Sequence, residues 1–133
     1  MKKVDGPKRL IAEGSDWDDI RAVFDFTDVS EADQSGALLQ WALARHLTVE
    51  TARAGWRTHV AIARATGLSN DTVSNLLTGN RWANYRTLAV LWDALGPRGW
   101  PEPERLHEYM QDARLRSGGF SADGESFPSL YAR

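Results

Sequence analysis

Cysteine is absent from this chain of 133 residues. That excludes disulfides, thiolate metal sites and cysteine nucleophiles, and it suits a reducing compartment. Long apolar runs are absent too. No stretch approaches the roughly 18 apolar residues of a membrane span. The start, M-K-K-V-D-G-P-K-R-L-I-A-E-G, carries basic residues with no apolar run after them, unlike a signal peptide. A cytoplasmic protein without a membrane partner is expected. His46, His59 and His107 stand at no metal-ligand spacing. No glycine-rich phosphate loop, nucleophile elbow or carboxylate pair occurs. The expectation is therefore no catalytic residue, no metal, no cofactor and no enzyme.

Strong net charge is also lacking: the formal value is −2. The average hides a segregation. Lys2, Lys3, Lys8 and Arg9 make residues 1–10 basic despite Asp5. Residues 11–34 hold Glu13, Asp16, Asp18, Asp19, Asp25, Asp28, Glu31 and Asp33 against Arg21 alone. Residues 53–86 hold Arg53, Arg57, Arg64, Arg81 and Arg86 against Asp71 alone. One long block is thus basic inside an acidic protein, and for nucleic-acid binding the distribution matters more than the total. The acidic block reads as a solvated helix face. The sharper alternative is a surface for a protein partner, or one that lies over the basic block and tunes its affinity.

Strand signals are scarce, and almost everything reads helical. Ser15-Asp16-Trp17-Asp18 looks like a capped helix start, followed by Trp17, Ile20, Val23 and Phe24 at helical spacing. Ser30 starts a second helix with Leu38, Leu39, Ala42, Leu43 and Leu47 as its stripe, and β-branched Thr48 and Val49 suggest a break before Gly55. Thr58 caps a short helix to about Thr66, which Gly67 ends. Ser69 caps the next, to about Thr78, which Gly79 ends. Asn84 caps a helix with Leu88, Leu91, Trp92 and Leu95 on one face. Pro103 opens a last helix with Leu106, Tyr109, Met110 and Ala113 as its stripe. Of the six Trp, Trp41 and Trp92 read as core, and Trp17 as packing its helix on the domain. Trp56, Trp82 and Trp100 flank turns. Residues 117–133 read as a flexible or loosely docked tail.

The pair of short helices fits a helix-turn-helix. Ile62, Ala63, Val73 and Leu76 are apolar where two crossed helices touch, and Gly67 permits the sharp turn. Asn70, Asp71, Ser74 and Asn75 then face away. In a DNA major groove Asn can bond adenine with two hydrogen bonds, Asp can accept from cytosine, and Ser or Thr can serve either role. Asp71 has a second reading, as an acid stabilising the positive helix end. A reading face without cations is no obstacle, because phosphate contacts from neighbouring residues supply affinity. Arg57 and Arg86 are candidates for that work.

The stretch T-H-V-A-I-A-R-A-T-G-L-S-N-D-T-V-S-N-L-L-T-G-N-R resembles the helix-turn-helix of the phage lambda repressor and Cro-like regulators. Thr58-His59, Ile62-Ala63, Gly67-Leu68-Ser69, Val73, Leu76 and Gly79 carry the match, and Y-R-T-L-A-V-L-W-D-A-L-G resembles the helix that follows. The resemblance covers residues 58–96. It implies an all-α, five-helix domain, here with an added N-terminal and an added C-terminal helix. It further implies a dimer on a palindromic operator in double-stranded DNA. The base readers it implies are Asn70, Asp71 and Asn75, with Thr72 and Ser74. The backbone contacts are His59 and Ser69 at the two helix starts, and Thr78, Asn80, Arg81 and Asn84 in the loop. Arg81 also comes within reach of a base. Leu77 departs from the family pattern, and an insertion near Gly55-Trp56-Arg57 separates the preceding helix.

The expected organisation is a basic and acidic helical extension over 1–34, the DNA-binding domain over 35–97, a C-terminal helix over 98–116 and the tail. The expected function is transcriptional regulation, as a repressor associated with the nucleoid when bound. The alternatives are an antitoxin-like interaction module that retains the fold, and a plasmid or chromosome partition DNA binder. The stripe Leu106, Tyr109, Met110 or the N-terminal helix is the expected dimer surface.

Overall fold

Ser30, Thr58, Ser69 and Asn84 each sit in extended backbone immediately before a helix. The side chains accept an amide hydrogen bond from the residue three positions on: Asp33, Ala61, Thr72 and Thr87. Each cap satisfies one of the free N–H groups of a helix start. These caps and Pro103 place five α-helices in the computed structural model, which describes residues 2–118. They are α1 (Glu31–Arg53), α2 (His59–Thr66), α3 (Asn70–Thr78), α4 (Tyr85–Leu95) and α5 (Pro103–Arg116). Two 3-10 turns, Pro7–Leu10 and Gly96–Gly99, complete the order. Gly67 and Gly79 end α2 and α3 in the left-handed conformation, at φ 78° and 72°, which costs a glycine nothing sterically.

The long helix α1 is the axis of the molecule. Leu38, Trp41, Ala42, Leu43, Ala44 and Leu47 are buried along it. Helices α3 and α5 and both 3-10 turns pack against it, while α2 touches α3 and α4. The break expected at Thr48 does not occur. Thr48 Oγ1 and Thr51 Oγ1 donate to the Ala44 and Leu47 carbonyls one turn back, at 2.7 Å each, so these residues satisfy their hydroxyls inside a continuous helix.

The helix expected from Ser15 is absent, and the segment runs as turns with one isolated antiparallel bridge, Ile11 to Phe24. The reason is local competition. Ser15 Oγ accepts from Val23 N, eight residues on. Asp16, Asp19 and Asp25 accept from amides two residues ahead, at Asp18, Arg21 and Thr27. Short acidic side chains that bond the nearby backbone favour turns over helix. The apparent helical stripe divides accordingly: Trp17 and Phe24 are buried, and Ile20 is 51% exposed.

Leu10, Trp17, Ala22, Phe24 and Val29 nonetheless belong to one hydrophobic core with Leu38, Trp41, Leu76, Leu91 and Leu106. Phe24 meets both Trp17 and Trp41 edge-on, with centroids 6.4 and 6.3 Å apart. The end of α5 closes over the same segment. Arg116 donates to the Ile20 and Ala22 carbonyls, and Ser117 Oγ accepts from Phe24 N. Of the expected dimer stripe on α5, Leu106 is buried and Tyr109 and Met110 are half-buried against the core, and the N-terminal helix expected as the alternative surface does not form. Trp92 is also a correction: it is 48% exposed, because Leu91, one residue round the helix, takes the buried position on α4. The remainder of the expected tail, 119–133, lies outside the described residues.

Trp17 lies directly beneath the end of α3. A Cβ added at Gly79 would fall 2.8 Å from its ring, at a backbone φ of 72°. Gly79→Ala combines left-handed strain with overpacking. It is expected to destabilise the protein by roughly 2–4 kcal/mol, read as a lowered thermal midpoint.

Candidate nucleic-acid interface

Helix α3 has two faces. Val73, Leu76 and Leu77 are buried. Asn70 and Asp71 are exposed, and Thr72, Ser74 and Asn75 are half-buried. Ser69 Oγ accepts from Thr72 N and donates to Thr72 Oγ1 at 2.8 Å, so those two side chains are tied to each other. Thr78 Oγ1 donates to the Ser74 carbonyl at 2.6 Å, which leaves its oxygen, not its proton, for other contacts. The Asn84 Oδ1 caps α4 and accepts from both Thr87 N and Thr87 Oγ1, so its Nδ2 remains a free donor direction. Leu77, the residue out of pattern, faces the core, and its carbonyl accepts from Trp17 Nε1 at 2.9 Å.

Two clefts flank the second half of α3. One, of about 550 Å³, is lined by Asp5, Lys8, Arg9, Asn75, Asn80 and Arg81. The other, of about 210 Å³, brings Thr72, Asn75, Arg81 and Asn84 together with Trp82. Asn75 and Arg81 are common to both. The structure therefore gathers Thr72, Asn75, Asn80, Arg81 and Asn84 into one surface. Arg57, His59 and Arg86 are exposed at the starts of α2 and α4 and join neither cleft.

Sequence reading missed the contribution of the N-terminal strap. Gly6 lies so close to the Asn80 carbonyl that no side chain fits there. Lys8 N donates to the Gly79 carbonyl at 2.9 Å, and Trp82 Nε1 donates to the Val4 carbonyl at 2.8 Å. These bonds lay Lys8 and Arg9 beside Asn75, about seventy positions away in the chain. The one available signal was the strap's basic composition; nothing local told where it would dock. Asp5 stands 3.9 Å from Arg81, but both side chains are about two-thirds exposed, so the pair constrains Arg81 little.

Gln40 was missed as well. It is buried at 4% exposure in the middle of α1. Its Nε2 donates to the Leu76 and Arg81 carbonyls, at 3.2 and 3.0 Å, and its Oε1 accepts from Ala83 N at 2.8 Å. One side chain thus satisfies three backbone groups and fixes the course of the loop that presents Arg81. A polar residue at a core position of α1 was the only trace of this in the sequence.

Among the described residues, no acid of the 11–34 segment lines the clefts along α3, where Asp5 is the one acid. Its Asp18 instead pairs with Arg45 on α1 at 3.4 Å. Among the described residues no helix is long and apolar enough to cross a membrane. Comparison of the chain with protein-family models, with curated proteins and with solved structures gives no match.

Gln40→Leu keeps the volume and removes all three hydrogen bonds, leaving buried backbone groups without partners. It is expected to cost roughly 1–3 kcal/mol in urea unfolding.

Proposed function

We propose that this protein binds double-stranded DNA sequence-specifically, with α3 as the reading helix of a helix-turn-helix, and regulates transcription as a repressor. One observation carries the reading: an α3 whose cation-free polar face is open beside cations held by the rest of the fold. Asn75, at the meeting of the two clefts, is the central base reader, with Asn70, Asp71, Thr72 and Ser74 toward the helix start. Arg81, Lys8 and Arg9 flank it at one end and Arg57, His59 and Arg86 supply cations and donors at the periphery. Hydrogen bonds to base edges carry specificity and the cations carry affinity. Action as a dimer on a palindromic operator belongs to the same proposal and rests on the resemblance of residues 58–96 to lambda repressor and Cro-like regulators.

Selection from a random oligonucleotide pool, repeated across salt concentrations, tests the reading. The expected result is an enriched motif with two-fold symmetry and a steep fall of affinity with salt. Recovery of no motif, with capture of a protein in its place, would establish an interaction module. On the selected site, Asn75→Ala is expected to cost about 1–3 kcal/mol and to relax preference at one base position. Uniform loss across all sequences would show that the reading face lies elsewhere. Arg81→Ala and the double variant Lys8→Ala, Arg9→Ala are expected to weaken all sequences alike. The salt slope should flatten by about one for each phosphate that is no longer neutralised.

A further inference from the structure

On a different part of the surface, the C-terminal half of α1 meets the Gly96–Gly99 turn and α5 around a cleft of about 590 Å³. It shares no residue with the clefts along α3. Its volume is that of a small-molecule site, for which about 300–1,000 Å³ is usual.

Four arginines line it, Arg45, Arg53, Arg98 and Arg105, against two acids, Glu50 and Glu102. Glu50 is consumed by the fold: it is buried, with Arg53 at 3.1 Å and Arg98 at 3.4 Å on its two oxygens. The Arg98 bridge and the 2.8 Å contact from His46 Nε2 to the Arg98 carbonyl hold the turn onto α1. Because a carbonyl only accepts, His46 Nε2 is the donor in that contact.

Arg45 is the unusual member. Its side chain is only 10% exposed, and its Nε is buried with no hydrogen-bond partner among the described residues. Burial pulls its guanidinium below the ordinary arginine range, and Asp18 opposes that shift. Among the described residues its ion-pair contact is the 3.4 Å one to Asp18, itself 74% exposed. Arg45 thus brings to the cleft a largely buried cation whose one ion-pair contact among the described residues is a long one to an exposed acid, and an anion in the cleft adds to its compensation. Arg105 faces the same space, stacked 5.4 Å from the Tyr109 ring centre with its guanidinium bonded to Tyr109 Oη. The apolar walls come from Val49, Pro97, Trp100 and Tyr109. Trp100 is stiffened by Trp92, with ring centres 5.6 Å apart.

We propose that this cleft binds a small aromatic carboxylate, its carboxylate taken by Arg45 and Arg105 and its ring set against Trp100 and Tyr109. The planar donor fork of arginine matches a carboxylate, and an aromatic wall favours a flat apolar body over a bare ion. The site stands independently of the DNA reading, since none of its residues takes part in that surface.

The test uses the full chain and sodium 1-naphthoate as probe. Nuclear magnetic resonance follows the Arg45 Nε–H and Trp100 indole N–H signals. Both are expected to move saturably, with 1-naphthamide, the neutral analogue, at least about tenfold weaker. Inorganic phosphate at matched ionic strength is expected to leave the Trp100 signal in place. Arg105→Ala, an exposed change, and Arg45→Gln are each expected to weaken naphthoate about tenfold or more. If Arg45→Gln does not fold, Arg105→Ala decides alone. Equal binding of the amide, phosphate binding as tight as naphthoate, or naphthoate affinity unchanged in Arg105→Ala overturns the proposal.

Discussion

The indole of Trp17 ties together three pieces of chain that have no local reason to meet. Its Nε1 donates to the Leu77 carbonyl in the last turn of α3, and the backbone carbonyl of the same residue accepts from Trp41 Nε1 on α1. Its ring fills the space beneath Gly79 and meets Phe24 edge-on. A buried Trp needs a partner for its N–H, and here that need places the end of a helix. A carbonyl in the last turn of α3 has no partner within the helix, so the bond satisfies both sides at once. Without a side chain at position 79, α3 can sit flat on the ring. The position of α3 relative to the core follows from this contact and from Gln40 behind it.

That arrangement separates two physical tasks along α3. The helix itself carries polar donors and acceptors and no cation, while the cations stand on other elements: Arg81 in the loop fixed by Gln40, and Lys8 and Arg9 on the strap bonded to Gly79. In the proposed role this is an advantage. Long cationic side chains on the helix would compete for the space from which base edges are read, whereas cations at its flank act through a field that extends about a Debye length. Among the described residues, none of the acids between residues 11 and 34 lines either cleft.

Most helix boundaries were legible from single residues. Ser30, Thr58, Ser69 and Asn84 cap where their type suggests, and Gly67 and Gly79 stop where theirs does. Such signals work because the energy involved is local, one side-chain oxygen against one amide. The stretch 15–24 misled for the same kind of reason. Its apolar spacing suited a helix, but Ser15 and three Asp residues had equally local alternatives, and those won. Trp92 misled because periodicity identifies a stripe but not which edge of it faces the core. In the candidate interface, the polar residues of α3 and the loop cation Arg81 were visible. Gln40, Lys8 and Arg9 were not, since their roles depend on partners thirty-six to seventy positions away.

By itself, the sequence determined a mostly helical chain, the limits of α2, α3 and α4, and the division of α3 into one apolar and one polar face. Those properties are set within a few residues by caps, glycines and spacing. The tertiary structure alone decided that the N-terminal segment is a strap rather than a helix, that α5 turns its stripe onto α1, and that a buried Arg45 opens on a cleft. Each of these follows from a choice between competing partners for a hydrogen bond or an apolar face. Such choices are settled only when the rest of the chain has packed.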